Sequence, residues 1–174
     1  MTLVKLNNGA AEIAECGHVF VADDADFPTD AGVVVSLKRL SDDKDALLSR
    51  NEPFGVRLGP DDDALALEDV LDRVSLVEIE FPKYVDGRGF SHAQLLRRRL
   101  GYKGEVRAVG EVLRDQINYM ARCGFDSFVM TPTSGSADDV IEGAIKDFTY
   151  AYQRTSGAQS PIFARRHAAT GESR

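Results

Sequence analysis

The chain has 174 residues, 43% of them hydrophobic, and a formal net charge of -7. That size suits one compact domain with a single core, and its longest apolar runs, such as Val33 to Val35, fall far short of the roughly 20 residues a membrane span needs. The acidic balance argues against nucleic acid as the main partner and would suit docking onto a basic protein surface.

The N-terminus, MTLVKLNNGAAEIAE, has no basic region followed by an apolar stretch, so a cytoplasmic location is expected. The two cysteines, Cys16 and Cys123, form no CxxC pair and read as free thiols in a reducing compartment. Residues 1–32 read as an irregular lead-in, with Asp23, Asp24, Asp26 and the Phe27-Pro28 step as loop. Val33 to Leu37 is a short β-branched strand. Ser41 is placed to cap a polar helix to about Arg50, with Asp42, Asp43 and Asp45 in its first turn. Phe54 to Leu58 alternates as a strand and stops at Gly59-Pro60; Asp61 to Asp63 start a helix through Leu65, Val70 and Leu71. Val74 to Phe81 is the clearest strand. A helix from Ser91 to Leu100, a strand from Val106 to Val109 and a helix from Glu111 to Cys123 follow, with Gly124 as the residue that ends the last. Phe128 to Thr131 is a further strand, and Ser136 caps a helix from Asp138 to about Gln153. Residues 33–154 therefore form the α/β domain, and 155–174 a flexible basic tail.

Strands alternating with helices imply right-handed βαβ crossovers and a mostly parallel sheet of about five strands. The periodicity does not choose between a Rossmann-like doubly wound sheet and an arc resembling part of a (β/α) barrel. Charge falls inside the strands. Leu76, Glu78 and Glu80 share one face of Val74 to Phe81, while Arg57 and Arg107 sit mid-strand in neighbouring segments. Parallel strands covered on both faces should be nearly all apolar. These carboxylates and arginines are placed to meet as a polar cluster, either a ligand site or a structural ion-pair network.

The loop Asp86-Gly87-Arg88-Gly89-Phe90-Ser91 follows a strand and opens a helix, where free N–H groups attract anions. Gly87, Arg88, Gly89 and Ser91 are candidates for anion or partner binding, or for an ordered turn capped by Ser91. The dinucleotide fingerprint fails, because His92 stands where a third glycine belongs. Arg97, Arg98 and Arg99 fan around their helix and read as a solvated face. Arg114 and Asp115 lie near the start of the next helix and are placed to join the site formed by the loop. His18, His92 and His167 have no metal-ligand spacing, and no Walker, GxSxG or HExxH motif is present, so neither metal nor cofactor is expected.

The stretch FPKYVDGRGFSHAQLLRRRLGYKGEVRAVGEVLRDQINYMARCGFDSF resembles the core of the bacterial domain of unknown function 934 family (DUF934), over about Phe54 to Tyr152. The resemblance implies an α/β protein described as an oxidoreductase of sulfite reduction, with members encoded beside a sulfite or nitrite reductase haemoprotein. That description rests on gene association and carries no mechanism. Residue by residue, the family motif points to Asp86, Gly87, Arg88, Gly89, Phe90, Ser91, Arg107, Gly110, Arg114, Asp115, Gln116, Arg122, Cys123, Gly124, Phe125 and Asp126. Glu111 departs from it, standing where an aspartate is expected.

Three expectations follow. The first is an accessory protein that docks on a sulfite reductase haemoprotein through the DGRGFS loop and the VLRDQ helix start, and assists electron delivery or assembly. The second is an α/β enzyme for a small anionic ligand. Arg88 and Arg114 would clamp the anion, Glu80 or Asp86 would act as general base, and Arg107 and Asp115 are further catalytic candidates. The third is a structural domain without a site. No residue pattern fixes whether the chain is an enzyme or a homo-oligomer.

Overall fold

The computed structural model describes residues 2–7 and 10–130. The expected helix 138–153, the basic tail 155–174 and His167 lie outside the described residues.

Among the described residues eight strands form one sheet in the order β2-β1-β8-β7-β6-β5-β4-β3. They are β1 (Thr2–Asn7), β2 (Ala10–Ala14), β3 (His18–Phe20), β4 (Gly32–Ser36), β5 (Phe54–Leu58), β6 (Val74–Phe81), β7 (Glu105–Gly110) and β8 (Ser127–Met130). From β3 to β8 each strand lies parallel to the next in the chain. β1 runs antiparallel to both β2 and β8. The strand order never reverses within the parallel run, so the Rossmann-like alternative and its switch-point crevice do not apply. Successive right-handed crossovers step the same way and place their helices on one face.

The sheet also curls. β2 and β3 are its two edges, yet only residues 15–17 join them. Seven flat strand spacings would separate the edges by roughly 34 Å, whereas four Cα steps reach at most about 15 Å. The edges must therefore come round toward each other. Three strands thus lie in the segment expected to be irregular. β3 has only three residues and β2 is AAEIA, so neither shows a strong local strand signal.

Helices cover the convex face. They are α1 (Leu37–Asp42), α2 (Lys44–Leu48), α3 (Arg88–Gln94), which continues as a π turn over Leu95–Arg99, and α4 (Ile117–Cys123), entered through a 3-10 turn at Arg114–Gln116. The core between them and the sheet takes Val33, Val35, Phe54, Val56, Leu58, Ile79, Phe81, Val106, Ala108 and Phe128 from the strands. Leu40, Leu47, Leu96, Ile117 and Met120 come from the helices. Several local expectations shift by a few residues. Ser36, not Ser41, caps α1 by accepting from the Arg39 N–H at 3.0 Å, because Ser41 lies inside that helix. Only a 3-10 turn, Ala64–Leu67, forms after Asp63.

Arg97 departs from the solvated face expected of it. Its guanidinium donates to the carbonyls of Gly124 (2.9 Å), Tyr102 (2.7 Å) and Gly104 (2.8 Å), and pairs with Asp126. It fastens the end of α3 to the turn before β8, while Arg98 and Arg99 remain exposed. Among the described residues no helix is long and apolar enough to cross a membrane.

Candidate functional site

Side chains alternate across a strand, so the residues that do not enter the helix-covered core line the concave face. There the register sets charges side by side: Arg57 lies opposite Glu78, and Glu78 opposite Arg107. Arg57 donates to Glu78 Oε2 through Nε (2.9 Å) and Nη2 (2.7 Å). Arg107 Nη1 reaches the other oxygen at 3.3 Å. Arg107 also donates to Glu105 Oε1 through Nε (3.0 Å) and Nη2 (2.8 Å), and Glu105 takes Lys5 at 2.6 Å and the Ser127 hydroxyl at 2.6 Å. The result is a ladder of alternating charge, Lys5–Glu105–Arg107–Glu78–Arg57, running from β1 to β5.

Arg107 is 1% exposed and is the largest fully buried side chain among the described residues. Burial pulls its pKa down, but the Glu105 carboxylate, with Cys16 and Glu78, outweighs burial and leaves it raised. For Glu105, burial works upward; bonds from Lys5, Ser127 and Arg107 prevail and hold it below 4.5.

The β2–β3 link brings Cys16 and His18 onto this face. Arg107 Nη1 donates to Cys16 Sγ at 3.2 Å, and His18 Nε2 lies 3.1 Å from the Ser75 hydroxyl. Burial, then the Arg107 charge, lowers the His18 pKa below 6.5. Phe20 lies flat under the Arg57 guanidinium, 3.8 Å from ring centroid to carbon. Cys16, His18, Phe20 and Arg57, with Glu78, Glu80 and the apolar side chains around them, line a cavity of about 390 Å³. Sequence reasoning passed over Cys16, His18 and Phe20, since only the curl of the sheet brings them to β6 and β7.

The DGRGFS loop lies elsewhere, at the carboxyl rim of the sheet. Arg88 donates to Asp86 through Nε (3.0 Å) and Nη2 (2.7 Å) and pairs with Asp61. Helix α3 starts at Arg88, so Ser91 sits within it and is no cap. Gly89 is buried against β6: a Cβ there would come within 2.7 Å of Phe81 and 2.9 Å of Ile79. Its function in the fold is close approach of helix to sheet. The hydrogen bonds from Arg88, side chain first, hold the Asp86 carboxyl down from 3.8 to about 2. A carboxyl that acidic is a poor general base at neutral pH.

This pairing carries its own prediction. The folded pKa of Asp86 lies below its unfolded value, so the pair contributes above pH 3.8 and is lost as pH falls through about 2. The Asp86 side-chain ¹³C shift is expected to titrate near pH 2; a midpoint at 3.8 would mean that Arg88 does not hold it in solution.

The same rim holds a group of exposed apolar side chains. Tyr84, Val85 and Tyr119 are 51%, 70% and 42% exposed. Tyr84 is fixed by its backbone, its N–H donating to Glu111 (3.1 Å) and its carbonyl accepting from Gln116 (2.7 Å). Tyr119, one helical step beyond Gln116, rests on Phe90 with centroids 5.0 Å apart. Arg114 and Asp115 are exposed on the connecting turn. The loop after β6 and the start of α4 are thus stitched into one surface, with Asp61, Asp86, Glu111 and Asp115 around it. Cys123, by contrast, is buried, and burial raises its pKa.

Residues 55–163 match the family model described as a bacterial protein of unknown function, DUF934. No curated protein matches the chain.

Proposed function

We propose for this chain, which belongs to the DUF934 family, the role of an accessory protein in assimilatory sulfite reduction that docks on a sulfite reductase haemoprotein. It would assist electron delivery or assembly rather than carry the electrons. The observation that supports docking is the rim: three exposed apolar side chains on a backbone fixed by Glu111 and Gln116. Aromatic residues and arginine beside a polar border are the usual make-up of protein interfaces. The acids around Tyr84, and a net charge of -7, suit a partner with a basic face.

The enzyme alternative, with Arg88 and Arg114 as an anion clamp, finds less support. An incoming anion would have to displace Asp86 and Asp61 from Arg88. Glu80, its other general-base candidate, lies on the concave face and lines the cavity with Arg57 and Glu78.

The test is capture of the haemoprotein from cytosol by the tagged chain and by Val85→Asp. An aspartate at a 70% exposed position leaves the fold intact, yet sets an unpaired charge in the centre of the rim. Stoichiometric capture by the parent chain, reduced at least tenfold by Val85→Asp, is expected. Equal capture by both would remove the rim from the interface, and no capture by either would remove the role.

A further inference from the structure

We infer that the cavity on the concave face is a binding site for a small molecule with an apolar body and a cationic head, such as a primary amine or amidine, with Glu80 as its counter-charge. This inference does not depend on the docking role, because the rim and the cavity share none of the residues that define them.

At about 390 Å³ the cavity is of metabolite size. Leu3, Phe20, Val109 and Val129 supply apolar wall, and the polar groups converge from β3, β5 and β6. The charges on those polar groups decide the ligand class. Glu78, 4% exposed, is neutralised on one oxygen by Arg57 and on the other by Arg107. Arg107 is itself sealed behind the wall and shared with Glu105. Arg57 is committed through two donors to Glu78 and stacked on Phe20. An anion would therefore have to compete with a carboxylate already in place.

Glu80 is different. It lies two residues along β6 from Glu78, on the same face, but past the end of the ladder. Its neighbour on β7 is Val109, and the β5 register ends one residue short of it, at Leu58 opposite Ile79. Among the described residues no ion pair or hydrogen bond satisfies its carboxylate. For His18, the other ring on the wall, burial and then the Arg107 charge disfavour the protonated form. Of the two carboxylates on the wall, Glu78 is paired with arginine on both oxygens, and Glu80 is the one that no described cation pairs with directly. An amine reaching it would form a charge-assisted hydrogen bond in a partly desolvated site.

Cys16 supplies a reporter of occupancy. It lines the cavity and is exposed, whereas Cys123 is buried, so a neutral alkylating reagent such as iodoacetamide will modify Cys16 first. The experiment compares three probes of one shape, benzylamine, benzyl alcohol and benzoate, on the full chain. Affinity is read by NMR titration, and site by protection of Cys16. Benzylamine is expected to bind at least tenfold tighter than benzyl alcohol and to slow Cys16 alkylation, with benzoate weakest. Glu80→Gln keeps shape and removes charge, so it is expected to bring benzylamine to the level of the alcohol without changing the alcohol's own affinity. Benzoate binding tightest, an amine preference that survives Glu80→Gln, or failure of all three probes to protect Cys16 would each overturn the assignment.

Discussion

Replacing Arg107 with alanine is expected to destabilise the chain by about 3–5 kcal/mol, the range for removing one partner of a buried ion pair. Its guanidinium bridges Glu78 and Glu105, whose side chains are 6% and 18% exposed, and among the described residues nothing else joins the two halves of the ladder. Without it both carboxylates stay out of water with part of their hydrogen bonding gone. At this chain length that loss corresponds to a fall in Tm of roughly 6–20 °C. The deficit should narrow in acid. Glu105 is held below 4.5, so the parent chain loses that contribution as pH falls through the folded value, while the variant has less to lose. Urea unfolding of both chains at pH 7 and pH 4 measures this. A loss under about 1 kcal/mol at pH 7 would mean the ladder is solvated. A companion variant that also carries Glu78→Gln and Glu105→Gln should recover part of the loss, because it removes the stranded charges.

Gly110→Ala is the second large effect. Gly110 ends β7 with φ +95°, and a Cβ there would fall on the carbonyl of Phe81 in β6. That carbonyl accepts the Glu111 N–H at 2.8 Å, so it cannot move away without breaking the pairing of the two strands. Positive φ in a residue other than glycine costs about 1–3 kcal/mol, and forcing the strands apart adds about 1–3 kcal/mol. The expected total is roughly 2–6 kcal/mol. Gly101 is the control. It too has positive φ, +66°, but a Cβ there would meet nothing within 4 Å. Gly101→Ala should therefore show the conformational part alone, about 1–3 kcal/mol. Equal losses in the two variants, measured by urea unfolding, would mean the β6–β7 contact yields easily.

Much of the parallel sheet was legible because its strands carry period-two or β-branched patterns. Phe54 to Leu58 and Val74 to Phe81 are found where alternation puts them. The same alternation put Arg57, Glu78, Glu80 and Arg107 on one face. It could not say which of them pair, since that depends on a register set by distant segments: Arg107 meets Glu78, and Glu80 meets Val109.

Closure of the arc was not legible. β1 places Lys5 against Glu105, and the β2–β3 link places Cys16 against Arg107 from 91 residues away, contacts with no local trace. Gly89 shows the opposite failure. It stood in a motif that reads as anion binding, yet its packing against Phe81 and Ile79 accounts for the missing side chain. The proposed docking surface was half legible. Arg88 and Arg114 marked its place, but Tyr84, Val85 and Tyr119 became meaningful only once their exposure and the stitching by Gln116 were visible.

The most direct test of the docking role is an NMR titration of the labelled chain with purified sulfite reductase haemoprotein. Backbone amides of 83–88 and 111–119 are expected to broaden or shift together, with those of β3 and the Glu80 wall unaffected. Perturbation centred on the concave face, or none at saturating haemoprotein, would contradict it.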